Sequence, residues 1–94
     1  MYYECHITVN PFGVPFTHPT TCEQAVPSGW SYSCIKGDPI LGKTQFQYAT
    51  KHFESDVPFL DVMKQMERAA QALRNQGWPV VREKIELVLF DSKH

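Results

Sequence analysis

The stretch PFLDVMKQMERAAQALRNQG, residues 58–77, decides the fold because its apolar residues recur at the spacing of a helix. They occupy positions 59, 62, 63, 66, 69, 70 and 73, which form one stripe along a helix, and most of the charged residues lie outside that stripe. Pro58 fits the first turn, and Gly77 fits the position just after the last turn. Ser55 or Asp56 can act as the cap. The pattern predicts one long amphipathic helix that packs against a sheet.

Four other segments have the composition or the alternation of β-strands, and they span residues 2–9, 30–35, 44–53 and 80–90. The first alternates most regularly, with Tyr3, Cys5, Ile7 and Val9 on one face and Tyr2, Glu4, His6 and Thr8 on the other. The third leaves its register open, because its apolar residues do not alternate cleanly. Four prolines between residues 10 and 29 leave room for only a short helix over residues 20–26.

The order of these elements is strand, short helix, strand, strand, long helix, strand, which is that of a ferredoxin-like βαββαβ fold. It predicts a single α+β domain over residues 1–94. Its four-stranded antiparallel sheet should have the first and third strands in the middle, and one long and one short helix on one face. A short first helix cannot cover its half of the sheet. Either Phe12, Phe16 and Trp30 fill that gap or a second copy of the chain does, and we expect a homodimer.

Composition and charge exclude several classes of function. The chain of 94 residues has nine Lys and Arg against ten Asp and Glu, so it lacks the basic field that favours nucleic-acid binding. It has no apolar run of about 18 residues and no signal-like start, which predicts a cytoplasmic protein without a membrane span. Cys5, Cys22 and Cys34 form no C-x-x-C pair, so we expect reduced thiols, no metal site and no cofactor. Cys5 and Cys34 should be buried as small apolar residues.

One set of polar side chains falls on the helix-free face of the predicted sheet. The first strand contributes Glu4, His6 and Thr8, and the last contributes Arg82, Lys84 and Glu86. The third strand adds Lys51 or His52, whichever its register turns outward. The planar guanidinium of Arg82, the ammonium of Lys84 and the hydroxyl of Thr8 suit a phosphate or carboxylate.

These residues predict a binding domain that holds an anionic small molecule or a protein partner on its open sheet face. Glu4, Thr8, Arg82, Lys84 and Glu86 are the candidate ligand-binding residues, and His6 and His52 are the candidate acid and base. The simpler interpretation is that the charges only form cross-strand pairs on a solvated face, each worth about 0.2–1 kcal/mol.

The tripeptide His6-Ile7-Thr8 resembles one half of the paired His-x-Thr/Ser signature of the two-histidine phosphoesterase superfamily. The resemblance implies a phosphoesterase-like enzyme in which His6 is a general acid or base. His52 is the candidate second histidine, but Phe53 and Glu54 follow it in place of the second half of the signature. The domain of that superfamily is also built from two repeats in a longer chain. An enzyme is therefore the alternative to a binding domain.

Overall fold

The computed structural model describes residues 1–12, 14, 18–35 and 46–89 of the chain. Its elements are β1 (Tyr2–Val9), a 3₁₀ helix (Glu23–Ala25), β2 (Ser31–Ile35), β3 (Phe46–Glu54), α1 (Phe59–Asn75) and β4 (Val80–Val88). Each of them lies within or close to a predicted segment. The short helix is a single 3₁₀ turn, smaller than the predicted two turns over residues 20–26. The predicted connection between the second and third strands falls outside the described residues.

The four strands form one antiparallel sheet in the order β2-β3-β1-β4. The predicted arrangement, with the first and third strands in the middle, is confirmed. α1 and the 3₁₀ helix both contribute to the buried cluster on one side of the sheet, and no helix of the described residues covers the other side, which we call the open face. The fold is therefore of the α+β class, with an open four-stranded antiparallel sheet and one long helix. Among the described residues, no helix has the length and apolar character needed to cross a membrane.

Pairing between β1 and β3 settles the register that the sequence left open. Glu4 pairs with His52, Cys5 with Lys51, and His6 with Thr50. Since Cys5 is fully buried on the helix side, Lys51 also lies on that side and His52 lies on the open face. The Lys51 ammonium group is 3.3 Å from the side-chain oxygen of Gln65 on α1. Of the two candidates from the third strand, only His52 can therefore contribute to a site on the open face.

α1 buries the predicted stripe and ends as predicted. Its buried residues are Val62, Met66, Ala69, Ala70 and Leu73, whereas Phe59, at the first position, is 48% exposed. After the last turn, the N–H of Gly77 donates to the carbonyl of Arg74 at 2.9 Å and that of Trp78 donates to Leu73 at 3.0 Å. Gly77 has a φ of +82°, which a residue without Cβ adopts readily. Neither Ser55 nor Asp56 caps the other end, because Pro58 itself occupies the cap position.

Residues 20–26 of the proline-rich segment between residues 10 and 29 contribute to the core, and Gln47 is hydrogen-bonded to two of them. The side-chain oxygen of Gln47 accepts from the N–H of Cys22 at 2.7 Å, and its nitrogen donates to the carbonyl of Thr20 at 3.0 Å. Trp30 packs against the core, as predicted. Phe12 is 55% exposed, so its predicted role in filling the gap is wrong. Phe16 lies outside the described residues.

The cysteines differ in their burial. Cys5 and Cys22 are in the core, whereas Cys34 is exposed. The prediction for Cys34 is wrong because its strand, β2, lies at the edge of the sheet, where alternation alone does not ensure burial.

Candidate functional site: the open face of the sheet

Side chains cross the open face in rows, because residues that pair across neighbouring strands point to the same side, and three of these rows hold the candidate residues. The first row holds Ser33, Tyr48, Thr8 and Arg82; the second holds Ser31, Thr50, His6 and Lys84; and the third holds His52, Glu4 and Glu86. All seven candidate site residues of the sequence analysis lie on this face. The adjacency of β1 and β4, on which the predicted site depends, is present in the sheet.

The first two rows line a shallow concavity of about 250 Å³. Its lining residues are His6, Thr8, Ser33, Tyr48, Thr50, Arg82 and Lys84. Four candidates from the sequence therefore share the concavity, whereas Glu4, His52 and Glu86 lie in the row beside it. Three of its residues, Ser33, Tyr48 and Thr50, are not among the predicted site residues. Ser33 was recognisable from the alternation of its strand, but Tyr48 and Thr50 required the register of β3.

A chain of hydrogen bonds runs through the second and third rows. The Nε2 atom of His6 is 2.5 Å from Oε1 of Glu4, and its Nδ1 atom is 3.1 Å from the hydroxyl oxygen of Thr50. Glu4 lies two residues from His6 on β1, and Thr50 is the partner of His6 on β3. An ionised carboxylate can only accept hydrogen bonds. The Nε2 atom of His6 therefore carries a proton and donates a hydrogen bond to Glu4. In the neutral imidazole, Nδ1 is then the acceptor for the Thr50 hydroxyl.

Glu4 also contacts the second histidine of this face. The Nε2 atom of His52 lies 3.5 Å from Oε2 of Glu4, and the His52 ring lies beside the ring of Tyr2 with 4.9 Å between their centroids. The two candidate histidines therefore share one carboxylate. They differ in position, because His6 lines the concavity and His52 is outside it, with 58% of its side chain exposed.

The two cations of β4 differ in their partners. Lys84 forms an ion pair with Glu86, which is two residues away on the same face of β4. The hydrogen bond from Lys84, followed by its charge, lowers the pKa of the Glu86 carboxyl. Arg82 makes no hydrogen bond or ion pair within the part of the chain that the structure describes. The donors of Arg82 are therefore available at the edge of the concavity.

The buried thiols are unsuited to chemistry. Burial raises the pKa of Cys5 and of Cys22 from 9.0 to about 11, so both are protonated thiols near neutral pH. Within the described ranges, no group of three or more His, Cys, Asp or Glu residues is placed to hold a metal ion.

Comparison with known proteins returns no match to a family model, a curated protein or a solved structure. Any assignment of function therefore depends on the geometry and chemistry of the open face.

Proposed function

We propose that this domain binds a small molecule that carries a phosphate group, and that the concavity on the open face is the binding site. The observation that carries the proposal is Arg82, which has no polar partner among the described residues and lies at the edge of a concavity lined with hydroxyl groups. Arg82 offers a planar set of donors that matches two phosphate oxygens, and Lys84 adds a second positive charge.

The distribution of charge across the rows supports an anion at this position. Both cations and the hydroxyls of Thr8, Ser33, Tyr48 and Thr50 line the concavity, whereas the carboxylates of Glu4 and Glu86 lie in the next row. Each hydroxyl can donate to a phosphate oxygen. The volume of about 250 Å³ is slightly below the usual range of ligand pockets, about 300–1,000 Å³, and suits a small ligand.

Three large exposed apolar residues lie away from the concavity, and this distribution supports a small molecule as its occupant. The core of a protein interface is rich in large apolar side chains. The exposed residues Phe59 and Leu60 belong to α1, and Leu87 pairs with Tyr3, whose face of β1 is turned towards the helix. These three apolar residues are therefore on the side of the sheet away from the concavity, whereas the exposed Phe46 lies on the open face, two residues from Tyr48.

Titration calorimetry with inorganic phosphate and with a simple phosphate monoester tests the proposal. We expect Arg82→Ala to weaken binding about 10- to 150-fold, since a hydrogen bond to a charged group contributes about 1.5–3 kcal/mol. Lys84→Ala should have a smaller effect, because Lys84 is also paired with Glu86. Arg68→Ala on the exposed face of α1 is the control and should bind as the wild type does. An Arg82→Ala protein with unchanged affinity, or a wild type that binds neither anion, would contradict the proposal.

A phosphoesterase-like activity is the second candidate function, with His6 and His52 as the acid and the base. The observation that favours it is that both imidazoles approach the carboxylate of Glu4, at 2.5 and 3.5 Å. A carboxylate beside an imidazole orients the ring and stabilises its protonated form, as general acid–base catalysis requires.

We also propose a ferredoxin-like arrangement in which the 3₁₀ helix takes the place of the first helix. The strand order β2-β3-β1-β4 supports it. The homodimer stays a prediction, and the exposed Phe59, Leu60 and Leu87 support it as an apolar surface that a second copy can bury. Sedimentation equilibrium of the full chain distinguishes a monomer from a dimer. The cytoplasmic location also stays a prediction, which fractionation of cells that express the chain would test.

A further inference from the structure

We propose that Thr50 is the nucleophile of a phosphate-ester hydrolase, activated by His6 and Glu4. This inference rests on the proposed function, because the phosphoryl group must occupy the anion site at Arg82 and Lys84. It goes beyond that function in naming a covalent reaction and the residue that performs it.

Glu4, His6 and Thr50 are joined by two hydrogen bonds, in the order that activates a hydroxyl group. In the neutral imidazole of His6, Nε2 donates to Glu4 at 2.5 Å and the unprotonated Nδ1 faces the Thr50 hydroxyl at 3.1 Å. This is the arrangement of a nucleophile, a base and a group that orients the base. Both ring nitrogens are occupied, so His6 reaches a substrate through the Thr50 hydroxyl and not directly.

Thr50 is distinguished from the other hydroxyls of the concavity. Within the described residues, neither Thr8, Ser33 nor Tyr48 makes a hydrogen bond to an imidazole, and Thr50 does. An aliphatic hydroxyl has little nucleophilic reactivity without such a base. Of the four hydroxyl residues of the concavity, Thr50 is therefore the one that has a base to activate it.

Arg82, Lys84 and Thr50 line one concavity, in which we place the phosphoryl group. Thr50, His6 and Lys84 follow one another across β3, β1 and β4 in a single row, and Arg82 ends the neighbouring row. Adjacent strands are about 4.8 Å apart, so Thr50 and Lys84 are about 10 Å apart at the backbone. The side chains of Lys84 and Arg82 line the same concavity as Thr50.

The reaction has two steps. In the first, the Thr50 oxygen attacks phosphorus and the bond from phosphorus to the ester oxygen breaks. His6 accepts the hydroxyl proton at Nδ1 and keeps it, and the departing oxygen leaves as an alkoxide that takes a proton from solvent water and releases hydroxide. In the second, a water oxygen attacks the phosphothreonine, the bond from phosphorus to Thr50 breaks, and the protonated His6 returns its proton to the Thr50 oxygen. Phosphate leaves with both protons of the water and gives one of them to the hydroxide. A phosphate monoester and water become an alcohol and inorganic phosphate.

The surroundings of His6 assist both steps. Glu4 stabilises the positive charge that His6 acquires when it accepts a proton. Arg82 and Lys84 neutralise the phosphoryl oxygens, which removes the charge repulsion that a nucleophile meets at a phosphate. Glu4 does not touch the substrate and is a positioning residue.

The test uses the full chain and 2,4-dinitrophenyl phosphate, whose good leaving group makes transfer to Thr50 independent of any specific alcohol. We expect dinitrophenol release, and after acid quenching a gain of one phosphoryl group in intact mass. Peptide mapping should place that group on Thr50 as acid-stable phosphothreonine. Thr50→Val should lower turnover at least about 1,000-fold and abolish the label, and Thr50→Ser should retain both. Thr20→Val, at an exposed position, is the matched control and should behave as the wild type.

Glu4→Gln tests the positioning role through the pH profile. It should lower kcat about 100- to 10,000-fold, as expected when a base loses its orienting carboxylate, and change the pH dependence of kcat, with a smaller effect on KM. A Glu4→Gln enzyme with the wild-type kcat and pH profile would overturn the assignment of Glu4.

The outcomes separate the two proposals. A wild type that binds inorganic phosphate but neither releases dinitrophenol nor carries the label overturns the hydrolase and leaves the anion site intact. Full turnover in Thr50→Val, or a label on a residue other than Thr50, overturns Thr50 as nucleophile. A wild type that binds no phosphate overturns the hydrolase together with the proposed function.

Discussion

Replacing Gln47 by Met should destabilise the domain, because Gln47 joins the proline-rich segment to the sheet. Gln47 is 2% exposed, and its side chain satisfies the N–H of Cys22 and the carbonyl of Thr20. Met has a similar length but offers no amide. The N–H of the buried Cys22 would lose its acceptor, and a buried unsatisfied donor costs about 1–3 kcal/mol. Thr20 is exposed, so water can replace the donor to its carbonyl and adds little to that cost.

Urea unfolding followed by tryptophan fluorescence measures this loss, since Trp30 and Trp78 both contact the core. For a domain of this size, we expect Gln47→Met to lower the midpoint by about 1 M urea with an unchanged slope. Gln24→Met, at an exposed position of the 3₁₀ helix, is the matched control and should change stability by less than about 0.5 kcal/mol. Equal midpoints for the wild type and Gln47→Met would refute the anchoring role of Gln47.

Two further predictions concern the cysteines. An alkylating reagent at pH 8 should modify the exposed Cys34 first. The pKa of about 11 leaves Cys5 and Cys22 with about 100-fold less thiolate than thiols that have the ordinary pKa of 9.0. Peptide masses after alkylation check this order. The contribution of both buried thiols to the free energy of unfolding should be constant below pH 9 and fall between pH 9 and 11, since they ionise in the unfolded chain before they do so in the folded one. The fall amounts to about 2.7 kcal/mol per thiol at most. Urea titrations across this pH range measure it, and an unchanged stability at pH 11 would contradict the burial of both thiols.

The strand order and the open face were predictable because two periodicities are clear in the chain. The alternation of β1 separates Cys5 and Ile7 from Glu4 and His6, and the stripe of α1 requires a sheet to pack against. Together they define which side of β1 faces the helix. The placement of the six candidate residues of β1 and β4 on the open face follows from this separation and from the adjacency of the two strands, whereas that of His52 depends on the register of β3.

The register of β3 was not predictable, because polar residues occupy its helix side. Gln47 and Lys51 alternate there with Ala49 and Phe53, and each polar residue has a partner elsewhere in the fold. Gln47 satisfies backbone groups of the proline-rich segment, and Lys51 reaches Gln65 on α1. Such partners are distant in the sequence, so a pattern of apolar and polar residues cannot identify them. Thr50 was missed for this reason.

The same register connects the core to the proposed chemistry. A slip of one residue between β1 and β3 would turn Phe53 and Ala49 to solvent and place Ala49 or Lys51 beside His6. Phe53 and Ala49 are both buried in the observed register. Burial of the Phe53 side chain by itself stabilises this pairing by about 1.5–3 kcal/mol. The burial that selects the register is therefore also what sets the Thr50 hydroxyl at 3.1 Å from His6. Strands held in this way are rigid, and a rigid scaffold is what a hydroxyl, an imidazole and a carboxylate need in order to act as one unit.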